Sequence, residues 1–305
     1  MVSESINDIL IQGSSVTVKS LNGTKISQIG VKVYGMREWL EVSRVFLSLF
    51  FLGLSSWYDF RTREVSNKMW VFFGPIGLAL TLLQLYVDHL EGAFTVPWFW
   101  LISVGLTTGI SVALFFTGFF GGADSKALIC LSIALPVYPS FVYGYVAVFV
   151  LFLPLAVLGN AVLFSSLLVV LIAIYNLTQM VHSQEKLFEG LEAEPLWRKI
   201  LAFVTGFKVN SEKLKAGFHY ILLEQLSRGE NGELSRHLNV APRMDGDDAQ
   251  EEAQLEELLG KLDRKVWVTP GLPFLVFITI GLLVALFMGD FISWLVLRSV
   301  APGAI

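Results

Sequence analysis

The stretch Phe119-Phe120-Gly121-Gly122-Ala123-Asp124-Ser125-Lys126 joins two long apolar segments. It sets three small residues before a carboxylate at the edge of an apolar run. Charge beside hydrocarbon is costly, so an ionisable residue there is a functional hypothesis by default. The small residues let a second backbone come close. The chain around this stretch has 305 residues, 54% of them hydrophobic and 16% charged, with a mean hydropathy of +0.64. Soluble domains carry about 25% charged residues. Several uncharged runs reach the roughly 20 residues that cross a bilayer. The expected fold is an all-α polytopic membrane protein with about six transmembrane helices and a cytoplasmic soluble insert before the last helix.

Upstream, the first span covers about Trp39 to Tyr58, and its charged residues Glu41 and Arg44 are expected near the far interface. Asp59 follows at once, heading a loop with Arg61, Arg63 and Lys68. The second span is Met69–Val87, and the loop after it holds Asp88, His89 and Glu91 without Lys or Arg. The third is Trp98–Phe120. A fourth starts near Asp124 and ends by Pro136 or Pro139. Phe141 to Leu177 is free of charge. Within it, Phe141–Pro154 reads as a connector or short interfacial segment, and Leu155–Thr178 as the fifth span.

The expected organisation has four parts: a polar extension over 1–35, a transmembrane core over 36–181, a soluble domain over 182–270, and a last helix with a short tail over 271–305. In the extension, Ser15–Lys19 alternates like a strand and Leu21–Thr24 reads as a turn, so a small hairpin and a disordered tail are both compatible. Met36 would also serve as a natural start, and the extension is expected to be dispensable. Residues 182–270 hold 12 Lys/Arg and 16 Asp/Glu. Their apolar positions Leu214, Phe218, Ile221, Leu222 and Leu226 fit helical spacing, but Phe218–Leu226 equally fits a buried strand leading into the turn Gly229-Glu230-Asn231-Gly232. Asp245–Asp263 has eight acidic residues and Lys261 as its one base. That run is either a solvated linker or a field that attracts basic peptides. The final span is Pro273–Leu297, with proline suited to its first turn. Asp290 lies 17 residues beyond Pro273, about 26 Å at 1.5 Å per residue, near the outer interface, where a structural role is expected.

Several chemistries are excluded. Cys130 is the sole cysteine, so an intramolecular disulfide and a thiolate cluster are absent. The four histidines form no metal-ligand spacing such as HExxH. No nucleotide or methyl-donor fingerprint is found. No metal, cofactor or nucleic acid is therefore expected; membrane lipid is.

Lysine and arginine bias sets orientation. The loop 59–68, the turn at 121–126 and the domain 182–270 carry the positive charge, and the loops 88–97 and 139–154 carry none. The chain crosses twice between Asp59 and Asp124, so both carboxylates are expected on one face, the cytoplasmic one. Lys126 either pairs with Asp124 or marks the interface. Two close carboxylates share a proton, one pKa rising and the other falling. The ionised partner then activates a water against an amide carbonyl, and the protonated one donates to the carbonyl oxygen or leaving nitrogen.

Tyr58-Asp59 with Arg61, Arg63, Val65 and Asn67, followed across two spans by Gly121-Gly122-Ala123-Asp124, resembles the type IV prepilin peptidase family, the GxGD class of membrane aspartic proteases. The match covers roughly residues 39–140. The insert before the last span and Val266–Phe274 are similar to archaeal members. The resemblance implies a catalytic pair, Asp59 and Asp124, with Gly121, Gly122 and Ala123 beside the substrate. It implies partners that are pilin-like or archaeal flagellin precursors with a basic leader and an apolar helix. Ala123 departs from the family's third glycine. The cysteine-paired domain of bacterial members, which also methylate the new N-terminus, is missing, so cleavage without methylation is expected. Two other readings compete. A presenilin-like or signal-peptide-peptidase-like protease also uses Tyr-Asp and GxGD, but its Pro-Ala-Leu motif is missing here. A proton-coupled transporter would use both aspartates as a relay, but shows internal repeats, and none are seen here.

Overall fold

The computed structural model describes residues 25–90, 92–142, 152–183, 187–210, 220–228, 234–239, 265–271 and 273–300. The expected strand at 15–19 and the acidic run at 245–263 lie outside them. Among the described residues, four helices are long and apolar enough to cross a membrane. They are α1 (Lys25–Thr62, apolar from Gly35), α2 (Asn67–Leu90), α3 (Val96–Phe116) and α5 (Leu153–Ser183). The protein is thus a helical membrane protein, and four of the six expected spans are matched by length and composition. Helix α1 begins eleven residues before Met36, inside the expected polar extension.

Of the other two expected spans, the fourth is as short as Pro136 predicts and the last is broken. Helix α4 (Gly122–Ala134) has 13 residues. The last span is divided into α7 (Phe274–Phe287) and α8 (Phe291–Val300), with Gly289 between them at φ +81°, a left-handed conformation that glycine adopts without penalty. Asp290, at that break, is buried. The all-α expectation fails in the insert at 182–270, where the described residues form five strands. They are β1 (Phe207–Asn210), β2 (Tyr220–Leu222), β3 (Glu224–Arg228), β4 (Leu234–Leu238) and β5 (Lys265–Pro270), after a short helix α6 (Leu196–Thr205). The strand alternative for 218–226 therefore holds over Tyr220–Leu222 and from Glu224 on.

The chain divides into two compact units. One holds α1 up to Ser55, Ser66–Leu158 and the chain from Leu282; the other holds Ser56–Val65 and Gly159–Gly281. In the first, α4 is gripped by α2 and α3 through small and polar residues, the usual means of helix association where lipid removes the hydrophobic drive. A Cβ on Gly77 would come within 2.8 Å of the Ala134 Cβ, so these helices meet nearly backbone to backbone. The last carbonyls of a helix have no partner within it. Thr81 Oγ1 donates to the Ile133 carbonyl at 2.8 Å, and Ser103 Oγ to that of Pro136 at 2.7 Å. Hydroxyls of α2 and α3 thus end α4 where Pro136 stops it. The 3-10 turn Ser140–Val142 follows.

In the second unit β5 is the central strand of an antiparallel sheet ordered β1-β5-β2, with Val268 opposite both Phe207 and Leu222. The run Val266-Trp267-Val268 is buried on both faces, because Val209 packs on one and Leu191, Ala202, Leu223 and Leu238 pack around Trp267 on the other. Phe188 stacks on Trp267 with ring centres 5.0 Å apart. The hairpin β3-β4 is tied in by the buried Glu224, whose carboxylate accepts the Trp267 N–H at 2.8 Å and Arg236 Nε at 2.9 Å. A buried charge persists only when it is answered in this way.

Candidate active site

Asp59 lies in the last turns of α1, half-buried, within the second unit. Three residues earlier, the Ser56 hydroxyl donates to the Leu275 carbonyl at 2.8 Å and lies 2.7 Å from Thr279 Oγ1. The Leu275 backbone amide reaches the Asp59 carboxylate. Leu275 is in the first turn of α7, whose N–H groups have no helical acceptor, so a carboxylate there answers an orphan donor and complements the helix dipole. Arg63 closes α1: its N–H bonds the Asp59 carbonyl at 3.2 Å, its φ is 59°, and its guanidinium donates to the Gly271 carbonyl. A left-handed arginine is uncommon, and the bond to Gly271 holds it there. The end of α1 is thereby fixed to the start of α7.

Asp124 is in the other unit, and it lies on α4 instead of in a turn before it. Gly121 is the residue that caps α4, and Asp124 sits at its third position. From there its carboxylate accepts the Gly121 N–H at 3.1 Å, the acidic half of a capping box. Asp124 is half-buried. A Cβ on Gly121 would lie 3.2 Å from Asp124 Oδ2, whereas one on Gly122 would make an ordinary 3.8 Å contact with Phe115. Gly121 adopts φ −71°, which any residue tolerates. Its lack of a side chain therefore serves room at the carboxylate, not backbone shape. Lys126 Nζ donates to Asn67 Oδ1 at 2.7 Å, joining the basic loop to the first turn of α4.

Each aspartate is open enough for water to reach it, and a half-buried carboxylate can both take and return a proton. Sequence reasoning singled out both aspartates and did not anticipate the groups around them: Ser56, Thr279, Gly271 and the Leu275 amide for Asp59, and the Asn67–Lys126 link beside Asp124. Pro273 carried the one available signal, since a proline-opened helix leaves free N–H groups for an anion. A separate cavity of about 260 Å³ lies by the end of α5 and the sheet, lined by Tyr175, Asn176, Gln179, Lys208, Tyr220 and Lys265 among others, and holds neither aspartate.

Residues 46–174 match the Type IV leader peptidase family, and residues 198–291 match Archaeal Peptidase A24 C-terminus Type II. The first match contains both aspartates, and the second contains α6, the strands and α7. The chain is 26% identical over 258 residues to the preflagellin peptidase of Methanococcus voltae, covering 82% of this chain and 97% of the relative. It is 25% identical over 253 residues to that of Methanocaldococcus jannaschii, covering 78% and 91%. It is 25% identical over 259 residues to that of Methanococcus maripaludis, covering 78% and 92%.

Proposed function

Since the chain belongs to the archaeal type IV leader peptidase family, we propose that this peptidase is an aspartic endopeptidase working at the cytoplasmic membrane face. Its substrates are precursors of pilin-like or flagellin-like subunits, with a basic leader followed by an apolar helix. The observation that carries this reading is the setting of two aspartates within one family match. Each is half-buried and stands beside the end or start of an apolar helix, with α2 and α3 between them in the chain. If both helices cross the membrane, the chain returns to the face it left.

The chemistry runs through Asp59 and Asp124 as a pair sharing one proton. The ionised carboxylate takes a proton from water as the oxygen attacks the scissile carbonyl carbon. The protonated partner donates to the carbonyl oxygen, giving a neutral gem-diol. Return of a proton to the amide nitrogen breaks the C–N bond and leaves a new carboxyl end and a free amine. Gly121, Gly122 and Ala123 flank the extended substrate. Gly121 in addition leaves Asp124 the room that a Cβ 3.2 Å away would take. The new amine leaves unmethylated.

The test uses membranes carrying the full chain and a precursor with a basic leader and an apolar helix. Wild type is expected to release the leader and to give a mature product whose N-terminal mass shows no added methyl group. Asp59→Asn and Asp124→Asn are each expected to abolish release. Cleavage by either variant at the wild-type rate overturns the pair.

A further inference from the structure

Helix α6 presents an apolar face that the described residues leave uncovered. Leu196, Trp197, Ile200 and Leu201 are 73%, 55%, 53% and 40% exposed. At 3.6 residues per turn these four fall within one arc of about 140°, with Arg198 and Lys199 bordering it on either side. Away from that arc Ala202 is fully buried in the cluster around Trp267. The two cations are held outward of the core: Arg198 bonds Glu194 at 3.2 Å, and Lys199 Nζ donates to the Glu192 carbonyl at 2.9 Å. A contiguous patch of large apolar side chains on a ten-residue helix is a contact surface.

We propose that this surface lies in the lipid headgroup layer of the bilayer that α5 crosses, so that α6 is an interfacial helix seating the strand domain on the membrane. The link to α5 carries the argument. Asn176 of α5 donates through Nδ2 to the Phe203 and Gly206 carbonyls, both at 2.6 Å, and so fixes the end of α6 to α5. The span Leu153–His182 has 30 residues, about 45 Å of helix, which matches hydrocarbon plus both headgroup layers. Asn176 stands about 35 Å along it, which puts it close to the boundary between the ~30 Å hydrocarbon and the headgroups, the depth at which an interfacial helix lies. Around it Tyr175, Leu177, Met180 and Val181 are exposed, so the lipid-facing surface of α5 runs on to the level of α6. A tryptophan flanked by cations on a short amphipathic helix is the side-chain set that this layer favours. The inference rests on α5 crossing the bilayer and is independent of the peptidase reading.

The test uses the full chain in nanodiscs of phosphatidylcholine and phosphatidylglycerol. Spin labels are placed through Leu196→Cys, Ile200→Cys and, as a water-facing control on β3, Gln225→Cys, each in a Cys130→Ala background. The ratio of collisions with oxygen to collisions with a water-soluble nickel chelate is expected to be about tenfold higher at 196 and 200 than at 225. Nickel access equal to the control overturns the proposal, and so does low access to both probes, which would mean that protein covers the face. A second measurement needs no substitution. A photoactivatable lipid carried in the same nanodiscs is expected to label the wild-type peptide containing 196–201, and absence of label there also overturns the proposal.

Discussion

The apolar part of α1, from Gly35, carries carboxylates toward its two ends in opposite circumstances. Near its start, Glu41 is 4% exposed and accepts the Ser140 N–H at 2.8 Å and its hydroxyl at 2.6 Å. Arg37 lies 3.5 Å from both Glu41 and Asp88, and Gln84 donates to Asp88 at 3.3 Å. Glu41 and Arg44 are both buried in protein. Near the other end, Asp59 is half-buried and sits at a helix N-terminus. In sequence the two look alike, each an acid beside an apolar run. Buried and surrounded by partners, Glu41 can only hold α1, α2 and the turn at Ser140 together. Half-open to water, Asp59 and Asp124 can exchange protons.

The contrast can be broken by substitution. Asp59→Asn and Asp124→Asn are expected to lower kcat by about a thousandfold or more, while costing no more than about 1 kcal/mol of stability, the worth of a cap. Glu41→Ala is expected to do the reverse. Leaving Arg44 buried without it costs about 3–5 kcal/mol, read as a lowered thermal midpoint in detergent, with kcat per folded molecule unchanged. Loss of kcat in a folded Glu41→Ala protein would erase the distinction. Gly121→Ala, which crowds Asp124, is expected to reduce kcat about tenfold with KM nearly constant.

Smaller effects sharpen the picture away from the aspartates. Thr81→Val leaves the Ile133 carbonyl without its 2.8 Å donor, and should cost about 1 kcal/mol in the same thermal assay. In the strand domain, burial pushes the Glu194 carboxyl up, but hydrogen bonds from His237, Arg198 and the Leu238 amide outweigh it and hold the group below the usual carboxylate range. A folded-state value below the unfolded one makes the contribution complete above about pH 4.3 and lost as pH falls through the folded value. Near-ultraviolet dichroism of the packed Trp267 should therefore weaken in acid. In Glu194→Gln that acid dependence should be flatter.

How much of this was legible follows from the range of each cause. The long spans were, because apolar length is a local property that bilayer thickness reads directly. The end of α4 was legible only as a proline. The hydroxyls that close it come from Thr81 and Ser103, more than thirty residues away in the chain. Phe218–Leu226 was ambiguous because its apolar positions fit helical spacing as well as a strand, and Val266–Val268, buried on both faces, shows no alternation that would mark it as a strand. In the candidate site, the two aspartates stood out because charge beside hydrocarbon is rare.

By itself, then, the sequence determined a membrane protein with two exposed-edge carboxylates and a charged insert, since composition and the cost of buried charge need no neighbours to be read. Only the tertiary structure decided that hydroxyls of α2 and α3 meet the end of α4, that Arg63 turns left-handed against Gly271, and that α7 supplies the amide that meets Asp59. Those outcomes depend on which orphan backbone groups meet which distant side chains, and spacing along one chain does not encode that.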